Sequence, residues 1–142
     1  MRIAIVASRF NAFVTSKLCD GALAELRESG IGEDDLMVVD VPGAFEVPQM
    51  AAKLASSGDF DGVVCLGCLI KGETPHFDYI ASAVAHGITK AALDTGVPMS
   101  FGVLTTNSAE EALARAVEGP SNKGREAARA VIDMARAFAR GQ

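Results

Sequence analysis

Four apolar runs punctuate the chain, at Ile3 to Ala7, Leu36 to Val41, Gly62 to Ile70 and Met99 to Thr105. None alternates cleanly between apolar and polar positions, so each reads as a strand buried on both faces of a sheet. Between the runs, apolar residues recur at three- and four-residue spacing: Leu18, Ala22, Leu23 and Leu26, then Val47, Met50, Ala51 and Leu54, then Ile80, Val84, Ile88 and Ala91. The last stripe predicts a helix over about Phe77 to Thr95, ended by Gly96-Val97-Pro98. Ala-rich helical segments over Ala109 to Val117 and Lys123 to Ala139, separated by Glu118-Gly119-Pro120-Ser121-Asn122, complete the chain. Strands alternating with helices specify an α/β fold with a parallel sheet, and right-handed crossovers place helices on both of its faces.

With 142 residues the chain makes a single domain, 1–142, able to bury a sizeable core. Apolar residues at 49% and charged residues at 22% exclude disorder over most of the length. A net charge of -5 leaves no basic face for a nucleic-acid backbone, so no nucleic-acid partner is expected. No apolar run reaches the ~18 to 20 residues of a membrane span, and the N-terminus runs into Ile3-Ala4-Ile5-Val6 without the charged, apolar and cleavable layout of a signal peptide. A cytoplasmic protein without membrane contact is expected. Cys19, Cys65 and Cys68 are an odd count, so reduced thiols are the default. Cys65 and Cys68 form C-x-x-C inside a strand, where side chains three apart face opposite ways and are badly placed to chelate a metal or cross-link.

Ligands of such sheets bind beyond the carboxyl ends of the strands. Four turns collect there: Ser8-Arg9-Phe10-Asn11, Pro42-Gly43-Ala44-Phe45-Glu46, Lys71-Gly72-Glu73-Thr74-Pro75-His76 and Thr106-Asn107-Ser108. Thr74 can cap the following helix and Pro75 suits its first position, but neither needs His76, which stands where backbone N–H groups receive anions. His86 falls mid-helix, on its surface. Glu46 either complements a helix dipole or accepts ligand hydroxyls, and Phe10 is either a core plug or a plate for a heterocycle. Arg115 and Lys123 flank the late loop, as solvated charges or as a grip on phosphate. There is no G-x-G-x-x-G after the first strand, and Gly119-Pro120-Ser121-Asn122-Lys123-Gly124 lacks the ending of a P-loop.

Arg9-Phe10-Asn11, Pro42-Gly43-Ala44-Phe45-Glu46, Gly67-Cys68-Leu69-Ile70-Lys71-Gly72-Glu73-Thr74-Pro75-His76, Gly96-Val97-Pro98 and Asn122-Lys123-Gly124 together resemble the lumazine synthase family, in order and spacing over nearly the whole chain. The resemblance implies a flavodoxin-like three-layer α/β/α fold with a four-stranded parallel central sheet. It implies condensation of 5-amino-6-(D-ribitylamino)uracil with 3,4-dihydroxy-2-butanone 4-phosphate to 6,7-dimethyl-8-ribityllumazine in riboflavin biosynthesis. Phosphate is released, and neither metal nor redox cofactor is needed. Residue by residue, it implies that Phe10 stacks on the uracil and that Ala44, Phe45 and Glu46 bind ring and ribityl chain. Cys68, Leu69 and Ile70 then line the pocket, Glu73 and Thr74 hold the keto phosphate, and His76 donates the proton. Phe101 contacts the uracil and Arg115 grips phosphate with help from Lys123.

A homo-oligomer is also implied, a pentamer or an assembly of pentamers. Glu118-Gly119-Pro120-Ser121 replaces the Gly-Thr-Lys-Ala-Gly type of loop of icosahedral members while keeping its length. Phe101 lies near the amino end of its strand, whereas Phe10, Glu46 and His76 follow the carboxyl ends of theirs. One small substrate reaches both only if a neighbouring subunit supplies Phe101. The rival reading is a non-catalytic flavin carrier using Phe10 and Phe101. A redox flavodoxin has less support, because no phosphate-binding loop follows the first strand.

Overall fold

The computed structural model describes residues 1–141. Strands β1 (Ile3–Ser8), β2 (Leu36–Val41), β3 (Gly62–Ile70) and β4 (Met99–Thr106) form one parallel sheet in the order β2-β1-β3-β4. Their bounds agree with the apolar runs to within a residue. Helices α1 (Ala12–Glu28), α2 (Val47–Ser56), α3 (His76–Thr95), α4 (Ala109–Ala114) and α5 (Lys123–Arg140) follow the strands. This is a three-layer α/β/α arrangement with the flavodoxin-like strand order.

The chain steps from β1 outward to β2, then returns past β1 to lay down β3 and β4 on its other side. Right-handed crossovers turn that reversal of direction into a reversal of face. Accordingly Ile3, Ile5 and Ala7 of β1 pack against Val14, Leu18 and Leu26 of α1 and Ala128, Val131 and Ile132 of α5. Ala4 and Val6 point the other way, onto Val47 and Ala51 of α2 and Val84 and Ile88 of α3. Strand alternation likewise divides the cysteines, Cys68 joining the first core and Cys65 the second.

Three sequence expectations need correction. β2 is not buried on both faces: Met37, Val38 and Asp40 are exposed, because β2 is an edge strand, laddered among the described residues to β1 alone. The fourth helix stops at Ala114 rather than Val117: the N–H groups of Arg115 and Ala116 turn to carbonyls three residues back, Ala112 at 3.1 Å and Leu113 at 3.0 Å, which tightens and closes the last turn. Lys123 N–H donates to the Arg115 carbonyl at 2.9 Å, and Asn122 Nδ2 donates to that of Ala116 at 3.0 Å. Thr74 makes no cap to α3; Pro75 occupies the capping position, its carbonyl accepting from the Asp78 and Tyr79 N–H groups.

Helices α1 and α5 cross almost backbone to backbone. A Cβ on Gly124 would lie 1.9 Å from the Leu18 carbonyl oxygen, and one on Gly21 would lie 2.2 Å from Asn122 Oδ1. Asn122 cannot yield, since it is buried and its side chain is fully engaged. Its Nδ2 also donates to the Lys17 carbonyl at 3.3 Å, while Oδ1 accepts from Gly124 N–H at 2.8 Å and Arg125 N–H at 3.1 Å. Further along the crossing, the buried Glu25 carboxylate pairs with Arg125 at 3.1 Å and with Arg129. These bonds satisfy a charge that would otherwise be costly to bury.

Gly124→Ala should therefore destabilise the protein by about 3 kcal/mol through overpacking against main chain. Gly32→Ala, at φ -77 with nothing within 4 Å, should change stability by no more than about 0.5 kcal/mol. Equal denaturation midpoints for the two variants would show that the helix crossing is not closely packed in solution.

Burial pushes the Cys65 thiol up to about 12 and that of Cys68 up to about 11. Cys19 is pushed up to about 11, by burial first and then by the nearby Asp20 and Asp40 carboxylates. Because the thiolate is the reactive form, iodoacetamide at pH 8 should leave all three unmodified in the folded protein and label them in denaturant. Fast native labelling of Cys65, read by mass, contradicts this packing.

Candidate functional site

The rim at the carboxyl ends of β1, β2 and β3 encloses a cavity of about 580 Å³. That is a size suited to a small organic ligand. It lies at the junction of β1 and β3, where the crossovers leave in opposite directions and open a crevice. Phe10 enters from the turn after β1, and Ala44, Phe45 and Glu46 enter from the 3-10 turn Ala44–Glu46 after β2. Leu69 and Ile70 end β3, and Thr74 and His76 belong to the turn that leads into α3.

Phe10 is 69% exposed and Phe45 60% exposed, so neither is a core plug. Aromatic faces left in water around a cavity supply apolar area that only a ligand, or another chain, would cover. Ala44 is buried, and the adjoining Gly67 would bring a Cβ 3.4 Å from its methyl, so the floor here is tightly packed. Glu46 Oε1 accepts from Gly43 N–H at 2.8 Å, which orients the carboxylate at the start of α2. Its second oxygen has no hydrogen-bond partner among the described residues and remains available to a hydroxyl.

His76 is the first residue of α3 and is exposed. The N–H groups of His76 and Phe77 have no acceptor among the described residues, as expected for the first turn of a helix. Two free N–H groups at the positive end of a 20-residue helix favour an anion beside the imidazole. The arrangement can bind a phosphate and exchange a proton at neighbouring points of one cavity.

Not every expected residue lies on this cavity. Cys68 turns its thiol into the α1–α5 core, and its carbonyl instead accepts from Asn11 Nδ2 at 2.9 Å. Glu73 is exposed in the turn before α3 and does not line the cavity. Phe101, 49% exposed, lines a separate depression of about 440 Å³ on the β4 edge, together with Lys123 and Glu126 of α5. Lys123 Nζ pairs with Glu126 there at 2.9 Å. Arg115 is exposed just past α4, with Nη1 on the Glu111 carbonyl at 3.0 Å. The single chain thus gathers one group of candidates at the rim, holds Phe101 and Lys123 in a second depression, and leaves Arg115 outside both.

Asn11, Phe77 and Ile80 also line the cavity, although their sequence context singled none of them out as a ligand contact. A signal for Ile80 was present: four residues beyond His76 on a helix, it shares that residue's face. Its place in an apolar stripe concealed this.

A family model described as 6,7-dimethyl-8-ribityllumazine synthase matches residues 1–139. A 6,7-dimethyl-8-ribityllumazine synthase from Syntrophus aciditrophicus (strain SB) is 52% identical over 134 residues, covering 94% of this chain and 87% of the relative. With the match running from β1 through α5, and so through every turn that builds the rim, this chain belongs to the 6,7-dimethyl-8-ribityllumazine synthase family.

Proposed function

We propose that this protein catalyses the lumazine-forming condensation of riboflavin biosynthesis. It joins 5-amino-6-(D-ribitylamino)uracil to 3,4-dihydroxy-2-butanone 4-phosphate, with release of water and inorganic phosphate. The observation that carries the reading is one cavity with exposed phenyl rings, an oriented carboxylate and His76 on an anion-receptive helix start. The amine nucleophile comes from the substrate, so the protein contributes orientation, anion binding and proton transfer.

In this reading Phe10 stacks on the uracil, while Ala44, Phe45 and Glu46 hold ring and ribityl chain and Leu69 and Ile70 form the apolar wall. Thr74 and the first N–H groups of α3 receive the keto phosphate, near enough to Glu73 for that residue to bias the turn. His76 moves the protons needed for imine formation and phosphate loss. Cys68 takes part through its carbonyl and its packing. Three cysteines, an odd count that cannot pair completely, are in keeping with the cytoplasm.

Phe101, Lys123 and Arg115 complete the site of a neighbouring subunit in a homopentamer or an assembly of pentamers. Support comes from the separation of the two groups and from the exposed apolar side chains at both sheet edges, Met37 and Val38 on β2 and Phe101 on β4. The Arg115 carbonyl accepts from Lys123 N–H at 2.9 Å, which ties the backbones that carry the two cations to each other.

Mixing the pure protein with both substrates should generate lumazine fluorescence faster than a protein-free control. A bound yellow chromophore without product formation identifies a carrier instead. His76→Ala should lower turnover toward the small end of the ~10²- to 10⁴-fold range of acid–base catalysis, since the uncatalysed condensation sets a floor. Uracil affinity should stay near the parental value. Unchanged turnover at saturation removes His76 from the chemistry.

Arg115→Ala should weaken the keto phosphate far more than the uracil, because only the former carries a dianion. Dissociating His76→Ala and Arg115→Ala proteins and reassembling them together should restore activity above either parent. Mixed assemblies verified by mass, yet no more active than the single variants, rule out sites shared between chains.

A further inference from the structure

The segment Arg9-Phe10-Asn11 carries an aromatic ring that little of its own chain holds in place. Phe10 is 69% exposed, so its position depends on the backbone beneath it. On one side Arg9 N–H donates to the Val41 carbonyl at 2.8 Å and Phe10 N–H to that of Pro42 at 3.0 Å, tying the turn to the exit of β2. On the other side the tie is a side chain. The β1–β3 ladder ends with Ala7 opposite Leu66, and two residues beyond, Asn11 Nδ2 donates to the Cys68 carbonyl at 2.9 Å. The amide supplies the N–H that β1 no longer reaches to provide, across the crevice that holds the cavity.

Asn11 has φ 64 and ψ 44, the one left-handed non-glycine among the described residues. Asn tolerates this conformation better than most residues, and Gly tolerates it best. Conformation alone therefore does not require the amide. The Asn11 carbonyl also opens α1, accepting from Val14 N–H at 2.9 Å and Thr15 N–H at 3.0 Å. One residue thereby joins β1, α1 and β3 directly beside Phe10.

We propose that Asn11 is a positioning residue for the uracil substrate: its amide, latched to β3, fixes the ring of Phe10 over the cavity. The proposal rests on the reading of that cavity as the uracil site. It acts through Phe10 and leaves the proton transfer at His76 untouched.

Asn11→Gly keeps the left-handed turn and deletes the latch; Asn11→Asp keeps the shape and puts an oxygen against the Cys68 carbonyl. In steady-state assays both should raise KM for the uracil about tenfold, the scale of one lost hydrogen bond to a substrate-bearing segment. Both should leave kcat and the KM for the keto phosphate nearly unchanged. Because the effect runs through Phe10, Asn11→Gly should add little once Phe10 is already alanine. A purely structural role would lower the thermal midpoint without this KM split. Parental uracil KM in the Asn11 variants, or effects that add fully to Phe10→Ala, overturn the positioning role alone. A parent that makes no lumazine, or a Phe10→Ala variant with parental uracil KM, overturns the reading of the cavity and the positioning role together.

Discussion

The reversal of winding between β1 and β3 is the constraint on which the rest of the molecule depends. Parallel strands joined by right-handed crossovers must change helix face when the chain changes direction across the sheet. Here that happens once, with α1 and α5 on one side and α2 and α3 on the other. The turns after β1 and β3 consequently diverge, and the crevice between them cannot be filled by either helix layer. Each turn that meets there contributes a different group: a phenyl ring, an oriented carboxylate, and a helix start with its histidine. The proposed chemistry uses this divergence, since binding a flat heterocycle and holding an anion call for different walls.

Rigidity on the opposite flank serves the same end at a distance. The close crossing of α1 and α5 is possible because Gly21 and Gly124 present no side chain, and because Asn122 fills the gap with four hydrogen bonds. Those bonds also shape the loop from Ala116 to Lys123, holding the Ala116 carbonyl beyond the end of α4. The loop's geometry sets where Arg115 and Lys123 stand relative to the sheet edge. In the proposed pentamer this packing positions the phosphate grip offered to a neighbour. A backbone substitution far from any substrate would thus be felt at the site of another chain.

Much of this was legible in the sequence, for identifiable reasons. Strands β1, β3 and β4 are runs of Val, Ile, Leu and small residues bounded by turn formers, and their ends agree with the apolar runs to within a residue. Gly96, left-handed at φ 71, ends α3 where expected. Two of the misreadings, β2 and the fourth helix, turn on partners outside the element itself. β2 has the composition of a buried strand but lies at an edge. The fourth helix has the Ala content to continue, yet Arg115 and Ala116 turn into the loop, where their carbonyls accept from Lys123 N–H and the Asn122 amide. Asn11 carries no sign of its latch, because its acceptor is 57 residues away.

The sequence by itself determined the elements, their parallel arrangement and the rim on which the chemistry-bearing residues collect, since hydrophobic period and turn chemistry are local properties that survive being read one residue after another. Only the tertiary structure decided which of those residues share a cavity. Phe10, Glu46 and His76 meet in one and Cys68 turns its thiol to the core, whereas the separation of Phe101 from the rim already followed from its place near the amino end of its strand. The physical reason is that a strand presents successive side chains to opposite faces and a sheet has two distinct edges. Membership of a site thus depends on register and strand order, which long-range pairing sets.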